Sequence, residues 1–205
     1  MITAVIPAFN EERRIEKVLK ETSQYVDEIL VIDDNSTDDT VEIAKKYGTT
    51  LEKDSNKGYI DSIKRGFQAA EGDIIVTLDA DGEHDPSFIP SLIEPIKKVE
   101  ADLVFGKREN IPRFSERVIS KLTSLKVKAK DTGTGFRAIK SDLAKSLELK
   151  GYCTCGTFAL EAYSKGANIK EVKAPTRDID KPKHVAWRHF LQFFIVLKSM
   201  ILGNK

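Results

Sequence analysis

Cysteine, methionine and tryptophan are scarce in this chain, with two, two and one among 205 residues. Cys153 and Cys155 stand as Cys-Thr-Cys, which has neither redox-motif spacing nor the companions of a four-ligand zinc site. Reduced, structural thiols are therefore expected, and a disulfide framework is excluded. Long apolar runs are missing as well: Phe190–Leu202 is interrupted by Gln192, Lys198 and Ser199 and falls short of the roughly 20 residues that span a bilayer. No basic segment or cleavage site precedes the strand-like Ile2–Pro7, so export by a signal peptide is not expected and a cytoplasmic setting is. Repeats and disorder-prone tracts are also absent. A formal charge of +1 argues against a general nucleic-acid binder.

The charge is nevertheless uneven. From Lys181 to Lys205 there are five Lys or Arg, two His and no acid, which leaves a net −4 on the remainder of a chain whose total is +1. A basic tail on a mildly acidic body suits an anionic surface. Trp187 and Arg188, just before the apolar stretch, are residue types that sit well at headgroup level. The tail is therefore expected to be a basic, apolar helix over 181–205 that lies peripherally on the cytoplasmic membrane face. The plainer alternative is a helix packed on the domain or on a second subunit in a homodimer.

Short β-branched runs alternate with segments of helical period, the sequence form of βαβ units feeding an α/β fold with a mostly parallel sheet. Strands are expected near Thr3–Ile6, Glu28–Ile32, Thr49–Glu52, Ile74–Leu78 and Leu103–Phe105. Helices are expected near Glu12–Gln24, Asp38–Tyr47, Gly58–Ala70 and Pro86–Val99. After Gly106 the regularity weakens into a basic, amphipathic stretch, Pro112–Lys130, which reads either as a solvated helix face or as the cradle of an anionic substrate. One large domain is expected over 1–180, with a nucleotide-binding half at 1–106 and an acceptor half at 107–180.

The densest chemistry lies in Asp73-Ile-Ile-Val-Thr-Leu-Asp-Ala-Asp-Gly-Glu-His-Asp-Pro86, where an apolar strand ends in Asp79 and Asp81. Two carboxylates side by side repel each other unless a cation lies between them. Oxygen ligands at this density suit Mg²⁺ or Mn²⁺, which usually share coordination with substrate phosphates. Glu83 is a candidate third ligand. Asp85 before Pro86 reads instead as a helix cap. Two further motifs, Val5-Ile-Pro-Ala-Phe-Asn-Glu-Glu12 and Val31-Ile-Asp-Asp-Asn-Ser-Thr-Asp38, also end expected strands. In a parallel sheet such loops share one face, where ligands bind.

Taken together, these motifs resemble the family 2 glycosyltransferases of the nucleotide-diphospho-sugar transferase fold (GT-A type), particularly the dolichyl-phosphate mannose synthase and polyprenyl-phosphate glycosyltransferase branch. The resemblance extends to about Ala174. It implies donor binding by Pro7, Ala8, Asn10, Glu11, Asp33, Asp34, Lys57, Asp79 and Ala80, and a metal held by Asp79, Asp81 and Glu83. Asp131-Thr-Gly-Thr-Gly-Phe-Arg137 is similar to the acceptor-side motif. The implied acceptor-binding residues are Arg117, Lys121, Thr134 and Arg137. Three positions depart from the branch: Glu83 where Gln is frequent, Thr134 where Ser is usual, and Ile60 near a common second Gly after Lys57-Gly58.

The implied reaction is metal-dependent, inverting transfer of a hexose, mannose or glucose, from GDP-mannose or UDP-glucose to a polyprenyl (dolichyl) phosphate. Asp81 is implied as a catalytic residue. A phosphomonoester is already largely anionic at neutral pH, so the acceptor needs orientation more than deprotonation. Glu161 lies where relatives with hydroxyl acceptors carry a catalytic acid, and a helix-surface glutamate is its plain alternative. Two rival functions remain. A haloacid-dehalogenase-type phosphatase shares the Asp-x-Asp strand end but leaves the first two loops unexplained. A nonenzymatic nucleotide-sugar-binding protein keeps the fold without the chemistry.

Overall fold

A computed structural model describes residues 1–151, 153–179 and 186–202. Among the described residues, seven strands form one sheet: β1 (Ile2–Ala8), β2 (Glu28–Asp33), β3 (Thr49–Glu52), β4 (Ile74–Thr77), β5 (Leu103–Lys107), β6 (Arg137–Lys140) and β7 (Ile169–Lys173). Their order is β3-β2-β1-β4-β6-β5-β7. All run parallel except β6, which pairs antiparallel with β4 and β5. The five expected strands are all present.

Alternation along each strand builds two cores. Ala4, Ile6, Val31 and Val76 face one layer with α1 (Ile15–Thr22) and α4 (Ile89–Lys97). Val5, Ile32, Ile75 and Phe105 face the other with α3 (Tyr59–Ala69), α5 (Phe114–Thr123) and α7 (Thr157–Ser164). This is the burial on both faces that parallel strands require. The expected 38–47 helix shrinks to α2 (Thr40–Ala44), because Ser36, Thr37 and Asp38 bond to the backbone or side chains of Asn10 and Glu12 instead. Asp85 does cap, accepting from Ser87 N at 3.0 Å at the start of a 3-10 turn.

The sheet joins the two sequence halves. Strand β6, from the second half, inserts between β4 and β5 of the first. A short helix, α6 (Ser141–Ser146), follows it.

The tail forms α8 (Ala186–Leu202), which packs on α5 and α7. Gln192 and Val196 are fully buried there, while Phe194 is 52% exposed. One face of this helix is thus a packing element, as the plainer sequence alternative holds. Lys181 and Lys183 lie outside the described residues, as do the side chains of Trp187 and Arg188. Among the described residues, no helix is long and apolar enough to cross a membrane.

Candidate active site

Strand β1 leads to β2 on one side, while β4 lies on its other side. The chain order therefore reverses between β1 and β4, the position where open α/β sheets bind ligands beyond the carboxyl ends of their strands. A cleft of about 310 Å³ opens there. Pro7, Ala8 and Glu11 line it from the β1 loop, Asp34 from the β2 loop, and Asp79, Ala80 and Asp81 from the β4 loop. Because β6 runs antiparallel, its start lies at this same edge and brings the 131–136 loop beside Asp79. Thr77 Oγ1 donates to the Gly135 carbonyl at 2.7 Å. A Cβ on Gly135 would fall 2.5 Å from Asp79 Oδ2, so this approach requires glycine.

Asp34 is 5% exposed and organises the floor. Its oxygens accept the backbone amides of Lys57 and Gly58, each at 2.8 Å, and pair with Lys53 Nζ at 2.6 Å. Lys53 also reaches Asp61 at 2.8 Å and donates to Ser62 at 3.2 Å. Gly58 takes φ 85°, a left-handed conformation suited to glycine, as it turns its amide to Asp34 and enters α3.

Negative charge crowds the cleft around Glu11. Burial pushes the Glu11 carboxyl up; Arg14 opposes this, and Asp81, Asp38 and Asp79 reinforce it. The Tyr59 hydroxyl is buried and held far above the usual phenol range by that burial and by Asp79, with Arg137 pulling the other way. Asp81 Oδ1 accepts the Glu83 amide at 3.0 Å, curling the loop back so that Glu83 turns inward, 6% exposed. Asp79, Glu83 and His84 each present a ligand atom within 4.8 Å of the others.

A family model described as glycosyl transferase family 2 matches residues 3–164. The chain belongs to that family.

Its relatives include a dolichol-phosphate mannosyltransferase from Pyrococcus furiosus, 31% identical over 200 residues, covering 85% of this chain and 55% of the relative. An uncharacterized protein of Methanocaldococcus jannaschii is 33% identical over 193 residues, covering 82% of this chain and 84% of the relative. The chain thus spans about half the mannosyltransferase and most of the second protein. Glucosyl-3-phosphoglycerate synthase from Mycobacterium tuberculosis, solved with Mg²⁺ and uridine diphosphate, superimposes with a TM-score of 0.83 at 25% identity, covering 97% of this chain and 78% of that one. This family 2 member is a glycosyltransferase with the GT-A architecture, and the phosphatase reading falls.

Several expected site residues of this glycosyltransferase have other work. Asn10 ties the first two loops together, its Oδ1 accepting Thr37 N at 2.8 Å, while Asp33 Oδ2 accepts Ser36 N at 2.9 Å within the second loop. Neither is among the residues that line the cleft. Lys57 contributes its backbone amide to Asp34 while its side chain is exposed. Arg117 and Lys121 are exposed on α5, with the Arg117 guanidinium 5.8 Å from the Phe114 ring centre.

Three further expected site residues are buried. Arg137 is wholly enclosed rather than offered to an acceptor: its guanidinium lies 4.5 Å from the Phe158 ring centre, and Nη2 donates to Thr154 Oγ1 at 2.8 Å. Its position on β6 turns it toward Phe105 and Phe158 inside the second core. Thr134 is also fully buried, accepting the Phe136 amide at 3.1 Å. Glu161 is 8% exposed and accepts the amides of Glu148 and Leu149, the latter at 3.0 Å. It clamps the loop at Glu148 and Leu149 and is not a helix-surface residue.

Sequence reasoning missed Lys53 and Arg108, whose partners are distant in the chain. Arg108 is 5% exposed and binds Asp131 through Nε at 2.8 Å and Nη2 at 2.9 Å, and Glu116 through Nη2 at 3.0 Å. This buried fork ties α5 to the 131–135 loop. His84 was also missed as a site residue, although it adjoins Glu83 in the metal motif.

Proposed function

We propose that this glycosyltransferase transfers a mannosyl or glucosyl group from GDP-mannose or UDP-glucose to a polyprenyl phosphate with inversion, assisted by Mg²⁺ or Mn²⁺. The observation that carries the reading is the pair Asp79 and Asp81 lining the cleft at the β1/β4 reversal, opposite the loops of Glu11 and Asp34. The donor set fits a divalent cation: Asp79, Glu83 and His84 each present a ligand atom within 4.8 Å of the others, and Asp81 and Asp79 add to the burial that raises the Glu11 carboxyl, charge that a cation relieves. Asp79, Asp81 and Glu83 hold the cation in this reading. When bound, it offsets charge building on the departing nucleoside diphosphate.

The protein's own part is binding and orientation. Asp34 fixes the Lys57–Gly58 turn against which the nucleotide lies, and Glu11 borders the same space. An acceptor phosphate attacks without a general base, in keeping with Glu161 being fully engaged by backbone amides. Arg117 and Lys121, exposed on α5, orient that phosphate, with Arg suited to a bidentate grip. Polyprenyl-phosphate chemistry is supported by the name of the mannosyltransferase relative. Apolar surface supports it too: Phe114 is 74% exposed beside Arg117, and Phe194 is open on α8. The outer face of α8, with the basic tail, docks peripherally on anionic lipid in this reading.

A panel of nucleotide sugars assayed against a polyprenyl phosphate, with divalent metal and with EDTA, tests it. Hexosyl transfer from one donor that is lost in EDTA and in Asp81→Asn is the expected result. Full activity in EDTA refutes the metal reading, and transfer only to a soluble phosphoglycerate-type acceptor refutes the lipid one.

A further inference from the structure

Sequence reading treats the cation site as all oxygen, but a nitrogen stands inside it. His84 is 2% exposed, and its Nε2 has no hydrogen-bond partner. That atom lies 3.6 Å from Asp79 Oδ2 and 3.9 Å from Glu83 Oε2. Both separations exceed a hydrogen bond. A buried imidazole nitrogen left unsatisfied destabilises the fold, and a shared cation between the three groups removes that cost.

The ring is held in this position. It stacks on Phe136 with centroids 5.2 Å apart and planes 24° from parallel. The His84 backbone bridges Thr176, and Arg177 N donates to the Glu83 carbonyl at 2.8 Å. The Arg177 guanidinium then grips Asp85 at 3.1 Å and Glu21 at 2.6 Å. The segment carrying Glu83 and His84 is therefore clamped on both sides, the preorganisation that ligands of a specific ion require.

We propose that His84 Nε2 is a direct ligand of the divalent cation, alongside Asp79 and Glu83, and that it biases the site toward Mn²⁺ over Mg²⁺. The proposal rests on the metal reading above. Mg²⁺ demands hard oxygen donors, whereas imidazole suits transition ions. Asp81, whose Oδ1 accepts the Glu83 amide, then also shapes the loop that presents the other ligands.

Pulsed EPR of Mn²⁺ added to the full chain, prepared with ¹⁴N-histidine and with ¹⁵N-histidine, tests the bond without a variant. A histidine nitrogen coupling that changes with the label, and is lost in His84→Gln, is the expected result. Mn²⁺ affinity should fall about 10-fold or more in that variant, and Mg²⁺ affinity by less. Mn²⁺ that binds in an Asp79-dependent way with no histidine coupling overturns the His84 assignment and leaves the metal reading standing. No Asp79-dependent Mn²⁺ binding overturns both.

Discussion

Replacing Lys53 with Met removes the single charge that joins Asp34, Asp61 and Ser62 beneath the cleft. The Lys53 side chain is fully buried and that of Asp34 is 7% exposed, with 2.6 Å between their charged atoms. Water therefore screens this pair poorly, and Met fills much the same volume without replacing the charge. Removing one partner of a buried ion pair costs about 3–5 kcal/mol because the other charge stays buried. With a urea m-value of about 2 kcal/mol/M, the unfolding midpoint should fall by about 1.5–2.5 M. The loss should also depend on pH. A hydrogen bond from Lys53 is the main cause holding Asp61 below its ordinary 3.8. A depressed carboxyl stabilises the fold above its unfolded value and loses that contribution as pH falls through its folded one. The difference between wild type and variant is therefore full at pH 7 and shrinks as the pH drops below about 3.8. Urea melts at pH 7 and pH 3 measure both effects. A loss below about 1 kcal/mol, the range of an exposed pair, or a loss independent of pH, refutes the reasoning.

Glu11→Gln should stabilise the ligand-free protein at pH 8 and leave it unchanged at pH 4. The folded carboxyl is raised above 4.5, so its penalty grows as pH rises through the raised value; equal melting shifts at both pH values would count against this. Gly135→Ala forces a methyl to within 2.5 Å of Asp79 Oδ2, so Mn²⁺ affinity measured by EPR should drop while the circular dichroism spectrum persists. Unchanged affinity would show that Asp79 is not positioned by that contact. Gln192→Ala leaves the carbonyls of Cys153 and Cys155 without their amide donor. It should cost about 1–3 kcal/mol in a melting experiment, and no cost would mean that α8 docks by apolar contact alone. Deleting residues after Pro182 should abolish sedimentation with anionic liposomes, and persistent sedimentation would end the membrane reading of the tail.

The first half of the fold was legible because each strand writes its own signature. Val5, Ile32 and Ile75 face one core and Ile6, Val31 and Val76 the other, and the acids that end these strands must share an edge in a parallel sheet. That determined the cleft and most of its lining from local sequence. Strand β6 was not legible: Arg137–Lys140 is four residues long and carries charge at both ends. Its antiparallel insertion between β4 and β5 nevertheless decides that Gly135 abuts Asp79 and that Arg137 lies inside the core. Long-range pairing decided the rest. Lys53 meets Asp61 through the entry of α3, Arg108 meets Asp131 across 23 positions, and Glu161 meets the amides of Glu148 and Leu149 across a turn of the chain. His84 shows the boundary most sharply. The sequence put it beside the metal motif, while its stacking on Phe136 and its bridge to Thr176 came from loop segments that arrive more than fifty residues later. Strand periodicity is a local property and can be read in order, but the environment of a charged side chain depends on which distant segment covers it.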